Sequence, residues 1–152
     1  MKKLLFIAAF AIFGLGTANA QGFSAGVNVG LPIGDASNVS SFAFGVDVNY
    51  MFNADEDFTY GLASGLQFYS GKNGGPSQDF IPLALAGRYK LSDTFALGAD
   101  VGYGIATNGG FYYRPMLVYN LSEKFDLNAS YSAVSGSGST LANVGVGLMY
   151  DF

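Results

Sequence analysis

The strongest constraint in this sequence is an alternation of bulky apolar residues with small or polar ones. Across residues 41–52 the even positions hold Phe, Val or Tyr, whereas the odd positions hold mainly Ser, Ala, Gly, Asp and Asn. Successive side chains of a β-strand point to opposite faces, so this pattern predicts a strand with one apolar face. The segment is longer than a typical globular strand of about 5–6 residues, and it approaches the about 9–11 residues with which a tilted strand crosses a bilayer.

The same alternation occurs in seven further segments, which predicts eight strands in all. These segments are residues 23–31, 58–68, 81–89, 95–105, 113–121, 125–133 and 144–152. Short polar turns are predicted at 53–57, 92–93 and 122–124, and looser Gly-, Ser- and Asn-rich loops at 32–40, 70–79, 106–110 and 134–140. Short turns at one end and longer loops at the other are typical of outer-membrane barrels. Pro82 and Pro115 each remove a backbone donor, so a bulge or an irregular strand end is expected at each.

The composition excludes several classes of function. The chain of 152 residues has no Cys and no His, which excludes disulfides, Cys- or His-ligated metal sites and a Ser-His triad. The net charge of −4 and only seven scattered basic residues disfavour nucleic acid as a partner. The acidic cluster at residues 55–57 falls in a predicted turn, where such residues are solvated. We therefore expect no catalysis and no cofactor.

The N-terminus has the layout of a secretory signal peptide. Lys2 and Lys3 precede an apolar run over residues 4–15, and Ala18 and Ala20 supply small residues before Gln21. This layout predicts that residues 1–20 are a cleaved signal peptide and that residues 21–152 form the exported domain. The apolar run is too short to cross about 30 Å of hydrocarbon as a helix.

The apolar face of the strands is predicted to meet lipid. A soluble eight-stranded barrel, such as a lipocalin, shows the same alternation, but its outer face must be compatible with water. Here the second face is mostly Gly, Ala, Ser and Asn, and only 12% of the chain is charged, against roughly 25% in soluble domains. An eight-stranded barrel encloses little more than its own side chains, so the bulky face must point outward.

The aromatic residues are concentrated next to the predicted turns and loops, as in the two interfacial girdles of a membrane barrel. The inner girdle is predicted to comprise Tyr50, Phe52, Phe58, Tyr60, Tyr89, Phe95, Tyr119, Phe125, Tyr150 and Phe152, and the outer one Phe42, Phe68, Tyr103, Tyr113 and Tyr131. Because hydrocarbon offers no partner to an open sheet edge, the first strand must pair with the last. The predicted fold is all-β, an eight-stranded antiparallel up-and-down transmembrane β-barrel.

Several charged residues lie on the predicted inward face. Asp100 and Arg114 each stand five residues from the short-turn end of neighbouring strands, which predicts an ion pair between them. Arg88 is expected near Asp126 or Asp47, and these five residues form the predicted luminal charge network. The favoured interpretation is that the charges neutralise one another and plug the barrel. The alternatives are a narrow porin or ion channel and, third, a soluble lipocalin-like carrier.

The end of the predicted signal peptide at Ala20, the eight amphipathic strands and the terminal residues 148–152 together resemble small eight-stranded outer-membrane β-barrel proteins. These include the OmpX/OmpA-transmembrane type and the Bacteroidetes-type outer membrane protein beta-barrel domain (PorT-like). The resemblance implies a monomer in the cell outer membrane, surrounded by its lipids and lipopolysaccharide. It also implies periplasmic chaperones and the barrel-assembly machinery as partners in biogenesis, with Tyr150 and Phe152 as the C-terminal assembly signal.

The resemblance does not extend to every function in that group. Adhesins of the OmpX kind have long protruding strands, whereas the predicted loops here are short, which disfavours an adhesive role. We expect no peptidoglycan-binding domain after Phe152 and hence no tether to the cell wall. The expected role is structural or in surface interaction, and the sequence identifies no partner for the extracellular loops.

Overall fold

The computed structural model describes residues 22–52, 56–106, 109–136 and 138–152, which form one closed antiparallel barrel. Each of the eight strands pairs with its sequence neighbours, and β1 pairs with β8. The strands are β1 (Phe23–Ile33), β2 (Ser40–Met51), β3 (Phe58–Gly71), β4 (Gln78–Lys90), β5 (Phe95–Ile105), β6 (Gly110–Ser122), β7 (Phe125–Gly136) and β8 (Ser139–Asp151). The prediction of an all-β, up-and-down barrel closed between its first and last strands is confirmed. The predicted signal peptide lies outside the described residues, so its cleavage stays a prediction.

Two short helical turns lie in the loops. Helix α1 (Ala36–Val39) joins β1 to β2, and a single 3-10 turn (Lys72–Gly74) joins β3 to β4. In the connection between β3 and β4, Asn73 adopts a left-handed conformation with φ of 53°. Asn tolerates this conformation better than most residues. Within the described ranges, no helix combines the length and the apolar character needed to cross a membrane.

The two faces of the sheet differ as the alternation predicts. Outward side chains are bulky and exposed, and Leu85 and Leu31 reach 70% and 64% exposure. Inward side chains such as Ala63, Ala84 and Ala86 are small and buried. Between the two rims of aromatic residues, the described outward positions carry no charged side chain. The barrel thus has an apolar exterior and a tightly filled interior.

Aromatic side chains pack against one another at both rims. At the turn end, Phe95 contacts Tyr119 and Phe125 contacts Tyr150, with ring centroids 5.1 Å apart in both pairs. At the loop end, Phe44 stacks on Phe68 at 5.1 Å. The residues of both predicted girdles lie at exposed or half-exposed outward positions where the structure describes them.

The strands continue further into the loop end than the alternation predicted. The predicted loop at 134–140 is wrong for most of its length, because Ser135 pairs with Thr140 and their hydroxyls lie 3.0 Å apart. The predicted loop at 70–79 is also shorter, since β3 ends at Gly71 and β4 begins at Gln78. These segments are rich in glycine and small polar residues, so the local sequence does not predict a strand there. Pairing with the neighbouring strand determines where each strand ends.

Neither proline produces the expected bulge. Pro82 keeps its partner Gly104 on β5, and Pro115 keeps its partner Ala99 on the same strand. On the other side of each proline, two pairs are missing from the ladder, but the register is the same before and after the gap. A proline loses a single backbone donor, so pairing lapses toward one neighbour only. The shifts of register that do occur lie at strand ends in the β2–β3 and β6–β7 ladders.

Candidate functional site

A layer of ion pairs crosses the middle of the lumen, and Arg114 on β6 lies at its centre. Its Nε and Nη2 donate to Asp100 Oδ2 at 2.9 and 2.8 Å, and its Nη1 donates to Asp47 Oδ2 at 2.8 Å. Asp100 is the direct cross-strand partner of Arg114, which follows from their equal distance from the turns. Asp47 lies on β2, four strands away, and therefore on the opposite wall of the barrel. All three residues are at most 5% exposed.

Asp47 has two further donors that complete its hydrogen bonding. Asn28 Nδ2 donates to Oδ2 at 2.8 Å, and Gln67 Nε2 donates to Oδ1 at 3.0 Å. The direct cross-strand neighbours of Asp47 are Gly26 and Gly65, so no side chain beside it fills the lumen. A buried carboxylate is costly unless it is paired and hydrogen-bonded, and Asp47 is both.

Arg88 joins this layer through Asp100 and not through the predicted partners. Its Nη1 donates to Asp100 Oδ1 at 2.7 Å and to the carbonyl oxygen of Gly87 at 2.8 Å. Asp100 is thus the ion-pair partner of Arg88 in the described part of the chain, and the expectation that Arg88 lies near Asp126 or Asp47 stays a prediction. The residue directly opposite Arg88 is Gly98, and the Arg88 side chain occupies the space beside it to reach the diagonal position. Diagonal neighbours in a sheet lie about 7–8 Å apart, within reach of a long side chain.

The structure thus brings together four residues of the predicted network: Asp47, Arg88, Asp100 and Arg114. Two carboxylates and two guanidinium groups give a layer that is formally neutral. Each charge has at least one partner within 2.8 Å. Breaking such a buried set is costly because the remaining partner keeps its charge without compensation. In the described part of the chain, no three His, Cys, Asp or Glu residues converge as metal ligands would.

Three aromatic side chains fill the lumen on the loop side of the ion-pair layer, and the sequence analysis did not identify them. Phe80 lies between Tyr69 and Tyr112, with ring centroids 6.2 and 5.8 Å apart, and all three are at most 2% exposed. Asn143 Nδ2 donates to the Tyr69 hydroxyl oxygen at 2.6 Å. Each of these aromatic residues lies at one of the alternate positions of its strand that point inward, and this position could have been predicted from the sequence. We call these three residues the aromatic plug.

A cavity of about 320 Å³ lies on the turn side of the ion-pair layer. Its wall includes Arg88 and Arg114 from that layer, and it extends to Gly22 and Glu56 near the turns. Asp126, the fifth residue of the predicted network, also lies in this wall, but it forms no ion pair with the other four in the described part of the chain. The lumen therefore has three levels: aromatic plug, ion-pair layer and turn-side cavity.

The predicted assembly signal lies at the turn-end rim. Phe152 packs against Tyr150 and Phe23, with ring centroids 5.0 and 5.3 Å away. The Phe152 amide also donates to the Phe23 carbonyl oxygen at 3.1 Å. These contacts fasten the last strand to the first, and recognition of Tyr150 and Phe152 during assembly stays a prediction.

Several solved structures of membrane barrels align with this chain. The crystal structure of Ail, the attachment invasion locus protein of Yersinia pestis, aligns with a TM-score of 0.64 and 13% identity over 86% of this chain and 96% of that one. The N-terminal β-barrel domain of Pseudomonas aeruginosa OprF aligns with a TM-score of 0.54 and 16% identity, over 86% and 98% of the chains. A de novo designed transmembrane β-barrel aligns with a TM-score of 0.56 and 17% identity, over 84% and 92%.

Identities this low show the fold alone. No protein-family model and no curated protein matches the sequence. Ail has also been solved in complex with the heparin analogue sucrose octasulfate. The predicted resemblance to small OmpX/OmpA-like outer-membrane barrels is confirmed at the level of the fold.

Proposed function

We propose that this chain is an integral protein of the cell outer membrane, a monomeric barrel with a packed lumen and a structural or surface-interaction role. The observation that carries the proposal is the outward surface, which is apolar and free of charge between two aromatic rims. Exposure of an apolar surface of this extent is unfavourable in water, whereas contact of the same surface with lipid acyl chains is favourable. The strands contain 11–14 residues, enough to cross the hydrocarbon when tilted.

A non-catalytic role is supported by the ion pairing and the chemical nature of the luminal side chains. The four charged residues of the ion-pair layer already donate to, or accept from, one another. The sequence offers no His or Cys to act as base or nucleophile. The interior therefore resembles a stabilising core more closely than a reactive site.

The loop side is suited to polar contacts and not to anionic ligands. Lys72 is the only basic residue in the loops, and its Nζ donates to the Ser37 carbonyl oxygen at 3.2 Å. Sulfate or phosphate groups are bound most strongly by clusters of Arg and Lys. A sulfated ligand such as the one bound to Ail is thus poorly matched here. We infer that lipopolysaccharide contacts this barrel through its acyl chains against the outward face.

A narrow ion channel is the second candidate, because the turn-side cavity reaches as far as Arg88 and Arg114. Beyond that point an ion would meet the contact between Arg114 and Asp47, which joins opposite walls. It would then meet the aromatic plug, whose members are fully buried. These two obstacles in series favour the sealed barrel.

Three measurements test the proposal. The protein extracted from cells is expected in the detergent fraction, with faster gel mobility before boiling than after, and without steady conductance in a planar bilayer. Recovery in the aqueous periplasmic extract would contradict the membrane assignment and support a soluble carrier. Steady unitary currents would contradict the packed lumen and support the channel.

A further inference from the structure

Two carboxyl groups lie side by side in the wall of the turn-side cavity. Asp126 and Asp151 lie in its wall on neighbouring strands, β7 and β8. Asp126 is directly opposite Met149, so Asp151 occupies the diagonal position beside it. Neither carboxylate forms an ion pair within the described part of the chain, whereas the ion-pair layer above is neutral. Adjacent carboxyl groups can share one proton, so at least one negative charge remains inside the barrel.

The basic residues that line this cavity are already engaged with other acids. Arg88 and Arg114 bind the acids of the ion-pair layer, and Lys90 Nζ lies 3.2 Å from Asp93 Oδ1 at the rim. Lys124, outside the cavity, lies with its Nζ 3.5 Å from the Tyr150 hydroxyl. The region beside Asp126 and Asp151 therefore favours a positively charged occupant.

An independent observation also points to an occupant that donates hydrogen bonds. The Oδ1 atom of Asn49 is buried in the wall of the same cavity and has no donor in the described structure, and the residue is only 7% exposed. Asn49 lies in a direct cross-strand row with Ser24 and Asp151. A buried acceptor without a donor is costly, so a group that donates to Asn49 Oδ1 would be stabilised. Neutral and acidic oxygens are thus aligned along one wall.

Three methionines form an apolar and deformable part of the wall. Met51, Met116 and Met149 all line the cavity, and they are the only methionines in residues 21–152. Methionine side chains adapt to irregular apolar ligands. A hydrated inorganic ion gains little from thioether and methylene contacts, and hard divalent ions take six or more oxygen ligands. An alkyl chain with a positively charged end fits both the carboxyl groups and the methionines of the cavity.

We propose that the turn-side cavity binds a small alkyl amine. Its ammonium group donates to Asp126, Asp151 and the Oδ1 atom of Asn49, and its methylene groups pack against the three methionines. This inference goes beyond the proposed function, because a packed lumen without conductance is compatible with a blind cavity that is either empty or occupied.

The methionines provide a direct readout on the unaltered protein. Isotope-labelled methionine methyl groups are observed by NMR for the full chain in lipid nanodiscs while cadaverine is added. Pentanol, which lacks the charge, and a calcium salt at equal ionic strength are added in parallel. Saturable shifts of the Met116 and Met149 signals are expected with cadaverine alone. No saturable shift with cadaverine, an equal shift with pentanol, or displacement of cadaverine by calcium at equal ionic strength would overturn the proposal.

Paired variants test the role of the acids. The double variant Asp126→Asn and Asp151→Asn is expected to weaken cadaverine binding by about tenfold or more, because charged hydrogen bonds are lost. Glu123→Gln, which removes one charge from an exposed turn at the same rim, is expected to bind as the parent does. Equal weakening by Glu123→Gln would show that only surface charge matters and would overturn the proposal. Gel mobility establishes whether each variant is folded. If a variant is not folded, the comparison of cadaverine, pentanol and calcium on the unaltered protein tests the proposal.

Discussion

Arg114 on β6 donates to Asp47 on β2 at 2.8 Å, although the two residues are separated by 67 positions in the chain. Strands four apart in an eight-stranded barrel lie on opposite walls, so this contact spans the lumen. Neighbouring strands are already joined by backbone hydrogen bonds, but opposite walls are joined only by side chains. The contact between Arg114 and Asp47 therefore joins two walls that backbone hydrogen bonds do not join directly.

Replacing Arg114 by Met is expected to destabilise the barrel by about 3–5 kcal/mol, because Asp47 and Asp100 keep their charges and lose their shared partner. The measurement is urea-induced unfolding in lipid vesicles. Lys90→Met is the matched control, since Lys90 pairs with an Asp93 side chain that is 99% exposed, and it is expected to cost at most about 1 kcal/mol. Equal losses in the two variants, or no coupling between Asp100→Asn and Arg114→Met in a double-mutant cycle, would contradict the account of this layer.

The outward face supplies a second prediction. Leu85 is 70% exposed at the middle of β4, and replacing it by Arg is expected to cost about 2–4 kcal/mol in vesicles, as for a charge near the bilayer midplane. Leu91→Arg, just past the end of the same strand, is expected to cost about 1 kcal/mol or less because the charge reaches water. The folding equilibrium of both variants is measured in the same vesicles. A barrel in water would tolerate the two substitutions equally well.

Two glycines on neighbouring strands differ in the space beside them. A Cβ atom at the inward-facing Gly102 would collide with the Leu83 carbonyl oxygen, so Gly102→Ala is expected to cost about 1–3 kcal/mol through overpacking. At the outward-facing Gly87 a Cβ atom would meet Phe58 at an ordinary 3.8 Å. Gly87→Ala is expected to stabilise the barrel by up to about 1 kcal/mol, because alanine restricts the unfolded chain. Denaturant unfolding of the two variants tests this difference, and the reverse order would contradict it.

The alternation of residues in the sequence was sufficient to predict the strands, but not all the side-chain contacts in the lumen. β5 has the bounds that the alternation predicted, and the pairing of Asp100 with Arg114 follows from counting residues from the turns. Strand parity is a local property, and so is the distance from a turn. The face on which a residue lies and its distance from a turn can therefore both be predicted from the sequence without knowing how the sheet closes.

The contacts that were missed depend on closure or on the absence of a side chain. The contact between Arg114 and Asp47 depends on the diameter and stagger of the barrel, which no single segment encodes. The ion pair of Arg88 with Asp100 depends on the space beside Gly98, which the alternation of residues does not encode. Phe80 has the inward parity of β4, but it lies one residue before the segment in which the alternation predicted that strand.

The C-terminal residue offers a prediction about assembly that is separate from stability. Phe152→Ala removes the ring packed against Tyr150 and Phe23, so the refolded protein is expected to lose about 0.5–1.5 kcal/mol. In cells the same variant is expected to accumulate far less folded barrel than that loss explains. Phe95→Ala, at the same rim and packed against Tyr119, is the control for a lost aromatic pair. The folded fraction is measured by gel mobility, and equal accumulation of the two variants would contradict a role of Phe152 as an assembly signal.

The contact between the outward face and acyl chains is tested most directly by spin labels in vesicles. The sequence has no Cys, so single Cys variants at Leu97, Val146 and the rim residue Glu123 carry one label each. Labels at Leu97 and Val146 are expected to relax with oxygen dissolved in the bilayer and not with a water-soluble nickel chelate, whereas the label at Glu123 shows the reverse. Relaxation of the Leu97 and Val146 labels by the nickel chelate in place of oxygen would contradict the account.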